Sequence, residues 1–153
     1  VIVLRYAPTF EMFSTSAKSI KEEKVFKFPL PKVGIPFLSI EDIRDSIVKI
    51  MMCPKDHENA VYGMCGDVRV TAEMATKAIS SVTGTPITFE QTEASSLVGD
   101  FTRLTSAKFA AMYVEWWTNT KHLTKQSDDL TSVLEMDSIT VEDWCHLNSH
   151  IFV

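Results

Sequence analysis

The clearest alternation of apolar and polar positions lies in residues 34–52, GIPFLSIEDIRDSIVKIMM. Ile35, Phe37 and Leu38 form a short apolar run of the kind a buried strand presents. Ser39 stands where a helix begins: its hydroxyl can accept from the orphan N–H groups of a first turn, and Asp42 follows three residues on. Glu41 and Asp42 set negative charge against the positive end of the helix dipole. Ile40, Ile43, Ile47, Ile50 and Met51 then recur at spacings of three and four. That spacing predicts an amphipathic helix whose stripe covers a sheet, with Arg44, Asp45 and Lys49 on the other face. Pro54 stops it, because proline has no N–H to continue the ladder. Strand, capped turn and helix together make a piece of an α/β fold.

The rest of the chain is arranged around this unit. Residues 1–4, VIVL, are continuously apolar and predict a buried strand with neighbours on both sides. No upstream residues supply those neighbours, so the expectation is the C-terminal portion of a longer protein. Pro8 breaks the strand, and residues 10–24 predict a helix. Residues 18–27 carry four lysines and two glutamates beside Phe26 and Phe28, a wet edge anchored by two rings. A short strand over 60–65 precedes a helix capped by Thr71, with Ala72, Ala75, Ala78, Ile79 and Val82 inward and Gly84 as its stop. Residues 85–92 alternate as a half-buried strand. Residues 93–120 predict a helix broken at Gly99 and the Thr105-Ser106 pair, with Leu97, Phe101, Leu104, Phe109, Met112 and Trp116 roughly in phase. After a polar stretch over 121–137, Thr140 caps a last helix over 141–150 with Trp144 and Leu147 facing in.

Composition narrows the function classes. The 153 residues are 45% hydrophobic and 23% charged, which fits one globular domain. A net charge of -5 argues against a nucleic-acid backbone as the main partner. No apolar run is long enough to span a bilayer. Cys53, Cys65 and Cys145 form no CxxC and fit free thiols in a reducing compartment, the cytoplasm or nucleus.

Several clusters invite chemistry. His146 and His150, four apart with Cys145 beside them, have zinc-ligand spacing, but a third and fourth ligand are distant in sequence, which favours a solvated pair at a helix end. Asp42 and Asp45 share a face, yet first-turn carboxylates are expected from capping alone. Tyr113, Trp116 and Trp117 can line a pocket or close a core, and the core reading is preferred. No GxSxG signature accompanies the Ser, His and Asp residues.

The order of the pieces resembles the C-terminal half of the NmrA-like family, atypical members of the short-chain dehydrogenase superfamily. Val3-Leu4-Arg5 followed by Phe10-Glu11 resembles the family's Leu-Arg-Pro strand end and following Phe-Met-Glu-Asn. Residues 35–48, with Asp42-Ile43, resemble its Asp-Ile-Gly segment, residues 71–89 its threonine-capped helix and following strand, and residues 141–144 its closing helix. Tyr6 stands in place of the family's proline, Met12 of its asparagine and Arg44 of its glycine. The resemblance implies an α/β fold: the C-terminal part of an NAD(P)-binding Rossmann-like fold with a small α+β substrate lobe, spanning residues 1–153 without the N-terminal dinucleotide-binding half.

It also implies NADP as cofactor, with Pro8, Thr9, Phe10 and Glu11 facing the nicotinamide. A glycine-rich turn lets backbone N–H groups approach a pyrophosphate, but the glycines here, 34, 63, 66, 84 and 99, form none. There is no Tyr-x-x-x-Lys pair either. The first expectation, implied by the resemblance, is a non-catalytic redox-sensing regulator acting through a protein partner. The alternatives are an NAD(P)H-dependent reductase of quinones or small carbonyl compounds and a cofactor-free interaction module.

Overall fold

The structure, a computed structural model, describes residues 1–97, 106–119 and 125–153. The first half holds β1 (Val3–Tyr6), a 3-10 helix over Phe10–Ser16, α1 (Ala17–Glu23), β2 (Val25–Phe28) and α2 (Ile40–Met52). Then come β3 (Val61–Met64), α3 (Ala72–Thr83) and β4 (Thr88–Gln91). The last part holds α4 (Ala107–Thr118), α5 (Asp129–Leu134) and α6 (Val141–Leu147), with a 3-10 turn over Ser149–Ile151. The chain is mixed α/β, as its pattern predicts.

Both strand pairs are parallel: β1 with β3, placing Val3 opposite Val61, and β2 with β4, placing Phe26 opposite Phe89. Parallel strands need a long crossover, and each pair is bridged by helical chain. The pairs are stitched together by two isolated bridges, Thr9 to Leu38 and Ile35 to Val70.

Two cores follow from this. The larger is aromatic and gathers the β2–β4 pair, α3 and α6 around Phe13. Phe13 meets Phe10, Phe26, Phe28, Phe37 and Trp144 edge-on at centroid distances of 5.9, 5.0, 5.4, 5.1 and 6.0 Å. Such geometry sets the positive ring edge against a negative ring face. The smaller core packs Leu38, Ile50, Met64, Leu130, Val133 and Leu134 under β1 and β3.

Ser39 and Asp42 form a full capping box. The Ser39 hydroxyl accepts from the Asp42 N–H at 3.0 Å, and Asp42 Oδ2 accepts from the Ser39 N–H at 3.3 Å. The carboxylate also accepts from the Ile139 N–H at 3.2 Å, so it ties α2 to the segment before α6. Asp42 is therefore buried, while Asp45 is exposed and paired with Arg44.

Burying that polar cap turns α2 about its axis. Asp42, Ser46 and Ile50 face inward, and Ile40, Ile47 and Met51 are exposed, so only part of the predicted stripe is covered. The opening strand also departs from its expectation. Val1 is 92% and Val3 37% exposed, and β3 is the one strand paired with β1 among the described residues. Side chains alternate across a strand, so Leu4 and Tyr6 reach the small core while Val3 and Arg5 point away from it.

α3 buries Ala75, Ala78 and Ile79 as its spacing predicts. In α4 the covered positions are Ala110 and Trp117, with Tyr113 and Val114 half-buried, while Phe109 and Met112 are exposed. The helix starts at the Ser106 cap, at the break that Thr105-Ser106 predicts, and that start sets which face is covered. The predicted Phe101 and Leu104 lie outside the described residues. α6 buries Val141, Trp144 and Cys145, and Leu147 is 66% exposed because it falls off that stripe. No described helix is long and apolar enough to cross a membrane.

Burial holds the Asp42 carboxyl above its usual value of 3.8, outweighing the hydrogen bonds it accepts from Ser39 and Ile139. A raised folded-state value stabilises the fold below the unfolded value, and the contribution fades as pH rises through the folded one. Asp42→Ala, which strands the Ser39 and Ile139 amides, is expected to cost about 2 kcal/mol in chemical denaturation. Relative to Asp42→Asn, the native protein should gain stability as pH falls from neutral toward 3.8. A flat difference across that range would contradict the assignment.

Candidate functional site

In open α/β sheets the ligand crevice lies beyond the carboxyl ends of parallel strands. β1 and β3 end side by side, and a cleft of about 480 Å³ opens there. Arg5, Tyr6, Ala7 and Pro8 line it from β1, Met64 and Cys65 from β3, Trp116 from α4, and Lys125, Ser127 and Asp129 from the segment entering α5.

That segment is held by short bonds. Asp129 Oδ2 accepts from the Gly63 N–H at 2.6 Å. The Ser127 N–H donates to Cys65 Sγ at 3.2 Å, and the thiol faces the Ser127 carbonyl at 3.4 Å. Burial pushes the Cys65 thiol up, so at neutral pH it is a packed thiol and not a nucleophile. Arg5 and Lys125 supply positive charge to the lining, and neither makes an ion pair among the described residues. The Tyr6 hydroxyl is buried with no hydrogen-bond partner among the described residues. Such a cleft suits a polar or anionic group.

The four residues expected to face a cofactor are distributed differently from one another. Pro8 lines the cleft, and its carbonyl accepts from the Leu38 N–H at 3.2 Å. Thr9 forms the bridge to Leu38 at the start of the 3-10 helix. Phe10 is 1% exposed and stacks between Phe37 and Trp144 at 5.7 Å from each. Glu11 Oε1 accepts from Trp144 Nε1 at 3.0 Å and from the Ile40 N–H at 3.3 Å. Glu11 thus links the 3-10 helix to the starts of α2 and α6, while Phe10 belongs to the aromatic core.

The other candidates fall outside the cleft, apart from Cys65 and Trp116. Trp117 donates from Nε1 to the Pro29 carbonyl at 2.8 Å, and the Tyr113 hydroxyl meets Met12 Sδ at 3.0 Å, so these rings close the core. His146 and His150 are exposed, and the helix ends between them, which removes the shared face their spacing predicts. Cys53, Cys65 and Cys145 are free thiols. Among the described residues no three His, Cys, Asp or Glu side chains gather where a metal ion could sit.

Arg5 and Tyr6 were within reach of the strand-end rule, since they precede the break at Pro8. Lys125, Ser127 and Asp129 carried no periodic signal, and only folding sets them against β3.

A second cavity, of about 270 Å³, lies on the other side of the same loop. Phe10, Phe37, Val70 and Val141 form buried walls, and the segment holding Asp137, Ser138 and Ile139 roofs it. The roof is fastened by Asp67, whose Oδ2 accepts from the Ser138 N–H and hydroxyl, each at 2.9 Å. Gly66 allows the approach below: its N–H donates to the Pro36 carbonyl at 3.1 Å, and a Cβ there would overlap the Phe37 carbonyl oxygen.

Trp144 is fully buried, so removing its acceptor leaves an orphan indole N–H. Glu11→Ala is expected to lower unfolding stability by about 2 kcal/mol, with Glu11→Gln recovering most of it through its remaining amide oxygen. An Ala variant of native stability would assign Glu11 to ligand binding alone.

The sequence matches no protein-family model and no curated protein. Solved structures are similar at the level of fold. An NADPH-dependent quinone oxidoreductase from Escherichia coli, complexed with NADPH, superposes with a TM-score of 0.75 at 17% identity, covering 100% of this chain and 54% of that one. The triphenylmethane reductase of Citrobacter sp., complexed with NADP(H), gives 0.70 at 13% identity over 94% and 52%. A nucleoside-diphosphate-sugar epimerase from Staphylococcus aureus gives 0.73 at 15% over 92% and 50%. The chain spans about half the length of these proteins, and it has their α/β, Rossmann-like fold.

Proposed function

We propose that this chain provides the substrate-side half of an NADP(H)-dependent reductase acting on quinones or small carbonyl compounds. The observation that carries the reading is the cleft beyond β1 and β3, in a fold shared with an NADPH-dependent quinone oxidoreductase and an NADP(H)-complexed reductase. NADPH, when bound, supplies the hydride.

The residues present fit one end of that cofactor. The orphaned Tyr6 hydroxyl offers a donor beside the Pro8 wall, and Arg5 and Lys125 offer charge for a phosphate or a polarised carbonyl. Pro8 and Thr9 present the loop to the nicotinamide, and Phe10 and Glu11 fix its path from behind. The pyrophosphate cradle does not fit here, because none of the five glycines builds a glycine-rich turn. A second polypeptide segment must supply it. The sensor reading, with NADP occupancy relayed to a protein partner, uses the same cleft without turnover. The reductases among the similar folds favour the catalytic reading.

By calorimetry, this chain alone should bind NADPH no tighter than about 1 mM. Joined to a dinucleotide-binding half, it should oxidise NADPH with benzoquinone, menadione or small aldehydes as acceptors. In that protein Arg5→Ala should raise the KM for NADPH about ten-fold, or ~1.4 kcal/mol. A joined protein that holds NADPH tightly yet reduces none of these acceptors overturns the reductase reading.

A further inference from the structure

The two cavities flanking the loop after β1 differ in charge as well as shape. Arg5 and Lys125 line the strand-end cleft with a single carboxylate, Asp129, whereas the 270 Å³ cavity is lined by Asp67, Asp137 and Glu142 and by no Lys, Arg or His. Its walls are apolar, and two of them are the stacked rings of Phe10 and Phe37. We infer that this second cavity is a binding site for a small aromatic cation, one or two fused rings bearing a quaternary or iminium nitrogen.

Each part of the lining selects for that chemistry. A volume at the lower end of ligand pockets admits one or two rings and excludes larger ligands. Buried apolar walls reward desolvation of a flat hydrocarbon surface. Phe10 and Phe37 stack on each other and are 1% exposed, so they add apolar wall, and the preference for a cation comes from the carboxylates. Asp67 is pinned in place by Ser138, which fixes one negative charge at the rim. Asp137 and Glu142 are exposed and hydrogen-bond no described residue, so their carboxylates can turn toward a bound cation. A neutral quinone makes no use of these three charges, and an anion is repelled by them. The cavity is a site in its own right, independent of the reductase reading, because its selectivity needs no dinucleotide.

The test uses this chain without NADPH. N-methylquinolinium is titrated by calorimetry and by NMR of the Val70, Met74 and Ile139 methyl groups, against neutral methylquinoline and anionic quinoline carboxylate. The cation should bind about ten-fold tighter than the neutral ring, with the carboxylate weakest, and molar salt should shrink the gap. Asp137→Asn combined with Glu142→Gln should weaken the cation about ten-fold and leave methylquinoline unchanged. Both positions are exposed, so the variant should keep the fold, which the methyl spectrum checks directly. Equal affinity for cation and neutral ring, an unchanged cation affinity in the double variant, or no response of the three methyl groups overturns the inference. None of these outcomes bears on hydride transfer in the neighbouring cleft.

Discussion

A single buried carboxylate holds the architecture in register. Asp42 accepts from the amides of Ser39 and Ile139, residues about a hundred positions apart in the chain. The first contact starts α2 and the second brings the approach to α6 against it. An acceptor with two oxygens in a dry setting satisfies backbone donors that no strand or helix would otherwise reach. Its position costs desolvation, which is why its proton is held more tightly than in water. The Asp67–Ser138 pair repeats the device one loop away, and together the two anchors lay residues 137–140 across the aromatic core.

That strap and the loop after β1 bound the two cavities. Pro8 faces the strand-end cleft, while Phe10, two residues on, walls the second cavity. The backbone between them is stitched to Leu38, so the partition is part of the sheet network. One wall therefore separates a cleft lined by Arg5, Lys125 and Asp129 from a cavity lined by Asp67, Asp137 and Glu142.

The polar interior also explains which apolar residues remain uncovered. Once Asp42 and Ser46 take the inward face of α2, Ile40, Ile47 and Met51 have no core to enter. On the sheet, α2 and α5 cover the Leu4 and Tyr6 side of β1, and Val3 with Val61 opposite stays exposed. The chain spans about half the length of the similar reductases and epimerase, whose fold it shares.

Much of the local structure was written in the sequence. The Ser39 cap, the Thr71 helix with its Gly84 end, the strand over 61–64 and the Thr140 cap are short-range features, decided by which side chain can satisfy a neighbouring amide or accept a left-handed turn. The mixed α/β class follows from the same alternation of periods. What the sequence left open was the rotation of each element against its neighbours. Periodicity marks an apolar stripe but not whether a distant amide will draw a carboxylate into that face, as Ile139 does with Asp42. The same holds for the site: Pro8 and Phe10 were legible as a strand-end loop, yet their opposite roles depend on Lys125, Asp129 and Asp137, which come from a stretch without periodicity. Contacts between residues far apart in the chain leave no local pattern, so the tertiary structure alone assigned the two cavities and their charges.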